Sequence, residues 1–107
     1  MKEPLEKAIQ LAICDYLSLK KYFFWRQNNV PMFDWKDKTY RAMPKYSLKG
    51  VSDIILIRKG GKVCFLEVKR KKGILSEHQI EFKRRCEEVG AEYYMVTSLD
   101  DVIAIGL

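Results

Sequence analysis

One histidine stands in 107 residues. His78 alone cannot furnish a His-based metal centre. Its place at the start of a helical stretch suits an exposed residue better than the base of a Ser-His-Asp triad. Cysteine is almost as scarce. Cys14, Cys64 and Cys86 are far apart, odd in number and free of any Cys-x-x-Cys spacing, which argues against a disulfide framework or a zinc site. All three read as small buried hydrophobes. No apolar run approaches the roughly 20 residues that a membrane helix requires. Glu3, Glu6 and Asp15 within residues 1–20 argue against a signal peptide, so the cytoplasm is the expected compartment. A Gly-x-x-x-x-Gly-Lys-Ser/Thr loop is missing, so phosphates are not held by a P-loop. Repeats, low-complexity tracts and linkers are missing too.

What is present favours one folded domain over residues 1–107. The hydrophobic content of 48% argues against a disordered chain, and the length suits a single core with little to spare. The net charge is +6, which points to a polyanionic partner. Two basic runs stand out, Lys69-Arg70-Lys71-Lys72 and Lys83-Arg84-Arg85. Either alone reads as a solvated face. The first, however, begins inside a cluster of acids, which favours a role in binding.

Apolar residues at Leu5, Ile9, Ala12, Ile13, Tyr16 and Leu17 recur at three- and four-residue spacing, so 4–20 reads as an amphipathic helix with Pro4 in its first turn. Residues 22–26 are aromatic and short, and read as a strand. Residues 31–49 mix Phe33, Trp35, Tyr40 and Tyr46 with lysines and Arg41, and read as a long loop or irregular hairpin. Strands at 53–58 and 63–70 follow, joined as a hairpin through Lys59-Gly60-Gly61-Lys62. Ser76 and Gln79 match a capping box for a helix that runs to Val89 and ends at Gly90. The strand Glu92–Val96 then returns parallel beside 63–70, because only a helix and a short turn separate them. Ser98 and Asp101 cap a last short helix. The order αβββαβα predicts an α/β fold, a mixed sheet flanked by helices.

Chemistry concentrates at Asp53, Glu67 and Lys69. Side chains alternate across a strand, so Glu67 and Lys69 share a face while Leu66 and Val68 take the other. Asp53 opens the neighbouring strand of the hairpin. Two acids and an ammonium at one sheet edge can hold a divalent cation and steer a water, which is the equipment for phosphodiester hydrolysis. Lys69 read alone is a solvated residue that ends a strand; its shared face with Glu67 favours the site.

Two further polar residues lie on apolar stripes. Glu6 shares a helix face with Ile9 and Ile13, where a buried carboxylate needs a partner. It either sits at the stripe's edge, favoured by the helix dipole, or reaches over the sheet edge toward a metal. Gln79 shares a stripe with Phe82, Cys86 and Val89. It either caps its helix only, or also faces Glu67 and Lys69.

The pattern of Glu6 in a first helix, Gly50-x-x-Asp53, a hairpin, Glu67-Val68-Lys69 and Ser76-x-x-Gln79 resembles the PD-(D/E)XK nuclease superfamily. Within it the chain is most similar to the VRR-NUC group, the virus-type replication-repair nucleases. Phe65-Leu66-Glu67-Val68-Lys69 followed by Gly73-Ile74-Leu75-Ser76-x-x-Gln79-x-x-Phe82 is similar to that group's central block, and Trp25-Arg26-Gln27-Asn28 to an earlier segment. The resemblance spans residues 5 to 103. Ser52 departs from it, standing where the superfamily's name puts a proline. The resemblance implies a restriction-endonuclease-like fold in which Asp53, Glu67 and the Val68 carbonyl bind Mg²⁺ or Mn²⁺. Glu6 completes the shell directly or through water, Lys69 orients or activates a water, and Gln79 positions Lys69, that water or the backbone. Arg26, Lys49, Arg70, Lys71 and Lys72 are the cations expected on DNA.

The substrate implied is branched DNA such as a Holliday junction, cut by a homodimer whose two-fold symmetry matches that of the junction. The expected setting is a bacterial or phage-encoded protein in the host cytoplasm. Phe33, Trp35, Tyr40 and Tyr46 either stack on branched or unpaired DNA or form the dimer interface or core. Two rivals differ in class. One is a flap or restriction-type nuclease of the same fold, for which the chain leaves no room for an added recognition domain. The other is an inactive DNA-binding module, against which the retention of Asp53, Glu67 and Lys69 stands.

Overall fold

Alternation along two adjacent strands organises the molecule. The computed structural model describes residues 5–27, 33–40 and 45–107. Among them the elements are α1 (Glu6–Leu19), β1 (Phe23–Arg26), β2 (Phe33–Asp34), β3 (Thr39–Tyr40), β4 (Ile54–Ile57), β5 (Val63–Val68), α2 (Glu77–Glu88), β6 (Glu92–Val96) and α3 (Leu99–Ala104). Pro4 lies outside the described residues, and Leu5 is the N-cap of α1. No described helix is long and apolar enough to cross a membrane.

The main sheet has the order β1-β4-β5-β6. β1 and β5 run antiparallel to β4, and β6 runs parallel to β5. The parallel pair is the crossover expected from the helix between them. Gly60 and Gly61, both at positive φ, close the β4–β5 hairpin, where the Arg58 N–H donates to the Lys62 carbonyl at 2.7 Å. The irregular stretch contains the small hairpin β2–β3, a separate sheet in which Phe33 pairs with Tyr40.

One face of the main sheet carries Ile54, Leu56, Cys64, Leu66, Val68 and Val96. It packs with Ile9, Ile13 and Leu17 of α1, Val102 of α3 and Leu107. The spacing 9, 13, 17 is one helical stripe, so α1 lies on this face because its apolar residues repeat at the helical period. The Tyr16 and Tyr22 hydroxyls donate to the Leu107 carbonyl at 2.8 and 3.2 Å, tying the chain's last residue to α1 and the start of β1. Across the far strands, Arg58 pairs with Glu92 at 2.6 Å and donates to the Ile105 carbonyl at 3.0 Å.

The opposite face is smaller. Phe82 and Cys86 of α2 pack with Tyr93, and Val51, Phe65, Leu75 and Ala91 border them. Phe65 meets Phe82 edge-on, with centroids 5.0 Å apart. Cys64 and Cys86 are buried as expected, whereas Cys14 is half-buried at the margin of the core. Burial pushes the Cys64 thiol up to about 11, which keeps it a neutral, unreactive hydrophobe.

Gly50 joins the two halves of this smaller layer. Its φ is +81°, and a Cβ there would overlap the His78 carbonyl and lie 2.8 Å from the Gln79 nitrogen. The chain entering β4 therefore touches the first turn of α2, backbone against backbone. Gly50→Ala combines a left-handed residue with this overlap and should lower stability by about 2 kcal/mol or more. Urea denaturation would measure it; an unchanged midpoint would show that the contact is dispensable.

Candidate active site

Four elements converge on the α2 side of the sheet. Asp53 directly precedes β4, and its carbonyl accepts the Gln27 N–H at 2.8 Å, which fixes it to the end of β1. Ser52 is fully buried, and its hydroxyl donates to the Ile54 carbonyl at 3.0 Å. That bond satisfies a hydroxyl that burial would otherwise penalise. Extending the register in which Ile54 faces Leu66 sets Asp53 opposite Glu67. The Asp53 Oδ2 accepts the Val68 N–H at 2.8 Å, which ties the carboxylate to β5.

Glu67 is only 3% exposed. Its Oε1 accepts from the Gln79 amide at 2.6 Å, and the Lys69 Nζ lies 3.8 Å from the same oxygen. Its Oε2 is buried without a hydrogen-bond partner. Gln79 caps its helix and also faces Glu67. Its Oε1 accepts the Ser76 N–H at 2.8 Å, completing the capping box, while its NH₂ reaches Glu67. The two ends of one amide thus link the start of α2 to the end of β5. Gly73 lets the turn after β5 fold back; a Cβ there would sit 2.9 Å from the Lys69 Cβ.

The electrostatics follow from this geometry. Burial pushes the Glu67 carboxyl up to about 8, and the negative charge of Asp53 pushes the same way. Lys69 opposes both, but from 3.8 Å it does not win. Without a further cation, burial and the neighbouring Asp53 charge favour the protonated form of Glu67.

The remaining sequence candidates fall elsewhere. Glu6 is exposed, in the first turn of α1. Because α1 packs on the opposite face of the sheet, Glu6 is not drawn into the pair. Among the described residues no group of three or more His, Cys, Asp or Glu side chains converges. His78 is exposed, as expected. Arg26, Lys49, Arg70, Lys71 and Lys72 are all exposed, at the end of β1, beside Gly50 and in the turn after β5. Trp35 and Tyr46 are exposed, at 82% and 89%; the side chains of Phe33 and Tyr40 lie outside what is described.

Sequence reasoning passed over Tyr93. Its ring packs against Phe82 with centroids 6.0 Å apart, and its hydroxyl is buried without a partner. Burial first, then the charges of Glu67 and Asp53, raise its pKa, so the phenol stays neutral beside the carboxylates. The signal was available: alternation along β6, paired Phe65 to Tyr93, puts it on the Glu67 face.

No family model and no curated protein matches the chain. A solved structure described as a VRR_NUC domain does. It is 18% identical, with a TM-score of 0.66 over 94% of this chain and 91% of that one. The chain therefore has the fold of a VRR_NUC domain, a four-stranded mixed sheet flanked by helices, as the element order predicts.

The pH dependence of stability tests the buried pair. A carboxyl held at about 8 when folded and near 4.5 when unfolded binds its proton more tightly in the folded state. Its contribution is complete below pH 4.5 and is lost as pH rises through about 8. In EDTA, stability should fall over this window by up to about 1.4 kcal/mol per pH unit from this group. Glu67→Gln should flatten the slope. Parallel melting curves for the two proteins across pH would show that Glu67 ionises freely.

Proposed function

We propose that this chain is a metal-dependent endonuclease that hydrolyses phosphodiester bonds in DNA. The observation that carries the reading is Glu67: a buried carboxylate set against Asp53, with one oxygen left without a partner. The donors at hand are all hard oxygens, which suit Mg²⁺ or Mn²⁺. Asp53, Glu67 and the Val68 carbonyl would hold the ion. Such an ion, when bound, polarises a scissile phosphate and lowers the pKa of a coordinated water.

The chain's own residues supply the rest. Gln79 holds the Glu67 carboxylate in one orientation, so its free oxygen stays aimed. Lys69, at the end of β5 and 17% exposed, orients the attacking water and offsets phosphate charge. Arg26, Lys49, Arg70, Lys71 and Lys72 contact the phosphate backbone, a sequence-independent grip that weakens with salt. The substrate proposed is branched DNA such as a four-way junction. A homodimer supplies two such sites with the symmetry that paired cuts require. Likeness to the VRR_NUC domain structure supports a nuclease reading of the fold.

A cleavage gel with Mg²⁺, comparing four-way junction, flap and linear duplex, tests both parts. Glu67→Ala should abolish cutting, and Lys69→Ala should slow it by about a hundredfold or more, with DNA affinity within a few-fold of wild type. Strong cutting by either purified variant would refute the assignment. Preferential flap cleavage would remove the junction reading and leave the nuclease.

A further inference from the structure

Among the described residues, the sheet face that carries Glu67 is covered only in part. β1 pairs with β4 and is the edge of the main sheet. Phe24 packs into the α1-side core, so alternation turns Phe23 and Trp25 to the α2 side. There α2 covers β5 and β6 through Phe82 and Cys86. Phe23 is 66% exposed and Trp25 39% exposed, with ring centroids 5.7 Å apart.

This aromatic pair leads directly to the carboxylates. Trp25 pairs with Ile55, and Ile55 with Phe65, forming one row across the face. The next row begins at Gln27, whose N–H bonds the Asp53 carbonyl. The Trp25 indole N–H donates to the Gln27 side-chain oxygen at 3.4 Å. Trp25 is therefore the diagonal neighbour of Asp53, at roughly 7–8 Å between backbones.

Single exposed apolar residues need no explanation, but two touching aromatic rings next to a candidate catalytic centre do. We infer that this open part of the sheet is a platform for an unpaired nucleic-acid strand, whose bases stack on Trp25 and Phe23 beside Asp53 and Glu67. Charge chooses the occupant. A chain with a net charge of +6 attracts a polyanion, while a second copy seated on the edge strand is the competing occupant that sedimentation detects. Arg85 lines the apolar groove that runs from Phe65 along α2. Stacking tolerates any base, which suits a strand held for its single-stranded form and not for its sequence. The inference rests on the nuclease reading for its purpose, but its test does not use cleavage.

The chain has two tryptophans, so Trp35→Phe leaves Trp25 as the only indole. Titrating that protein with dT12 in EDTA should quench the Trp25 emission. Trp25→Ala should weaken dT12 binding about tenfold or more while changing the affinity for a 12-bp duplex less than twofold. Unchanged emission at saturating dT12 would overturn the platform, and that measurement needs no substitution at Trp25. Equal losses on dT12 and duplex would overturn it too. So would sedimentation showing that Trp25→Ala splits a dimer, because the face would then be a contact between copies. Quenching without any cutting in Mg²⁺ would uphold the platform and reject the nuclease.

Discussion

Asp53 and Glu67 repel each other where water is largely excluded. Antiparallel register leaves them no escape, because Ile54 facing Leu66 carries the two acids to the same end of the same face. Burying one carboxylate beside another is unfavourable unless a proton or a cation intervenes. The surrounding groups moderate the conflict without removing it. The Val68 N–H satisfies an oxygen of Asp53, the Gln79 amide satisfies one of Glu67, and Lys69 stands off at 3.8 Å. Glu67 Oε2 remains.

Much of the nearby backbone is arranged to keep that conflict in place. The start of α2 is held against the entry to β4 by a glycine with no room for a side chain. The same helix turn presents Gln79, whose amide caps the helix at one end and grips Glu67 at the other. Ser52, buried and internally bonded, shapes the approach to Asp53. The large apolar core on the far face makes the strands rigid, and α2 closes only part of the near face. Rigid support with partial cover is what a site needs if it must hold polar groups under strain and still admit a polymer.

What could be read from sequence was whatever short-range periodicity controls. Alternation put Glu67 and Lys69 on one face, the Ser76–Gln79 spacing announced the cap, and Gly60-Gly61 announced the hairpin. Long-range docking was less legible. The stripe containing Glu6, Ile9 and Ile13 was correct as a helix face, but which side of the sheet that face would cover was not encoded in its period. Glu6 sits exposed in the first turn of α1, at the edge of that stripe, which is one of the two places its period allows. Tyr93 escaped notice because a tyrosine in a strand is ordinary until its hydroxyl proves buried and alone. Among the described residues α2 packs over β5 and β6, while Phe23 and Trp25 of β1 are exposed, an arrangement that no local pattern reports. Residues 33–40 form a hairpin within the segment read as irregular, while 28–32 and 41–44 lie outside the described residues.

A basic chain with a buried and a half-buried acid at one end of two central strands, and with open aromatic surface next to them, has the physical outline of a phosphodiester-cutting site. The account stands on those two carboxylates acting as one ligand set. Isothermal titration of Mn²⁺ into the wild-type chain, Asp53→Asn and Glu67→Gln addresses this most directly. The account predicts a binding site in the wild type that either single substitution removes. Undiminished binding in either variant would contradict it.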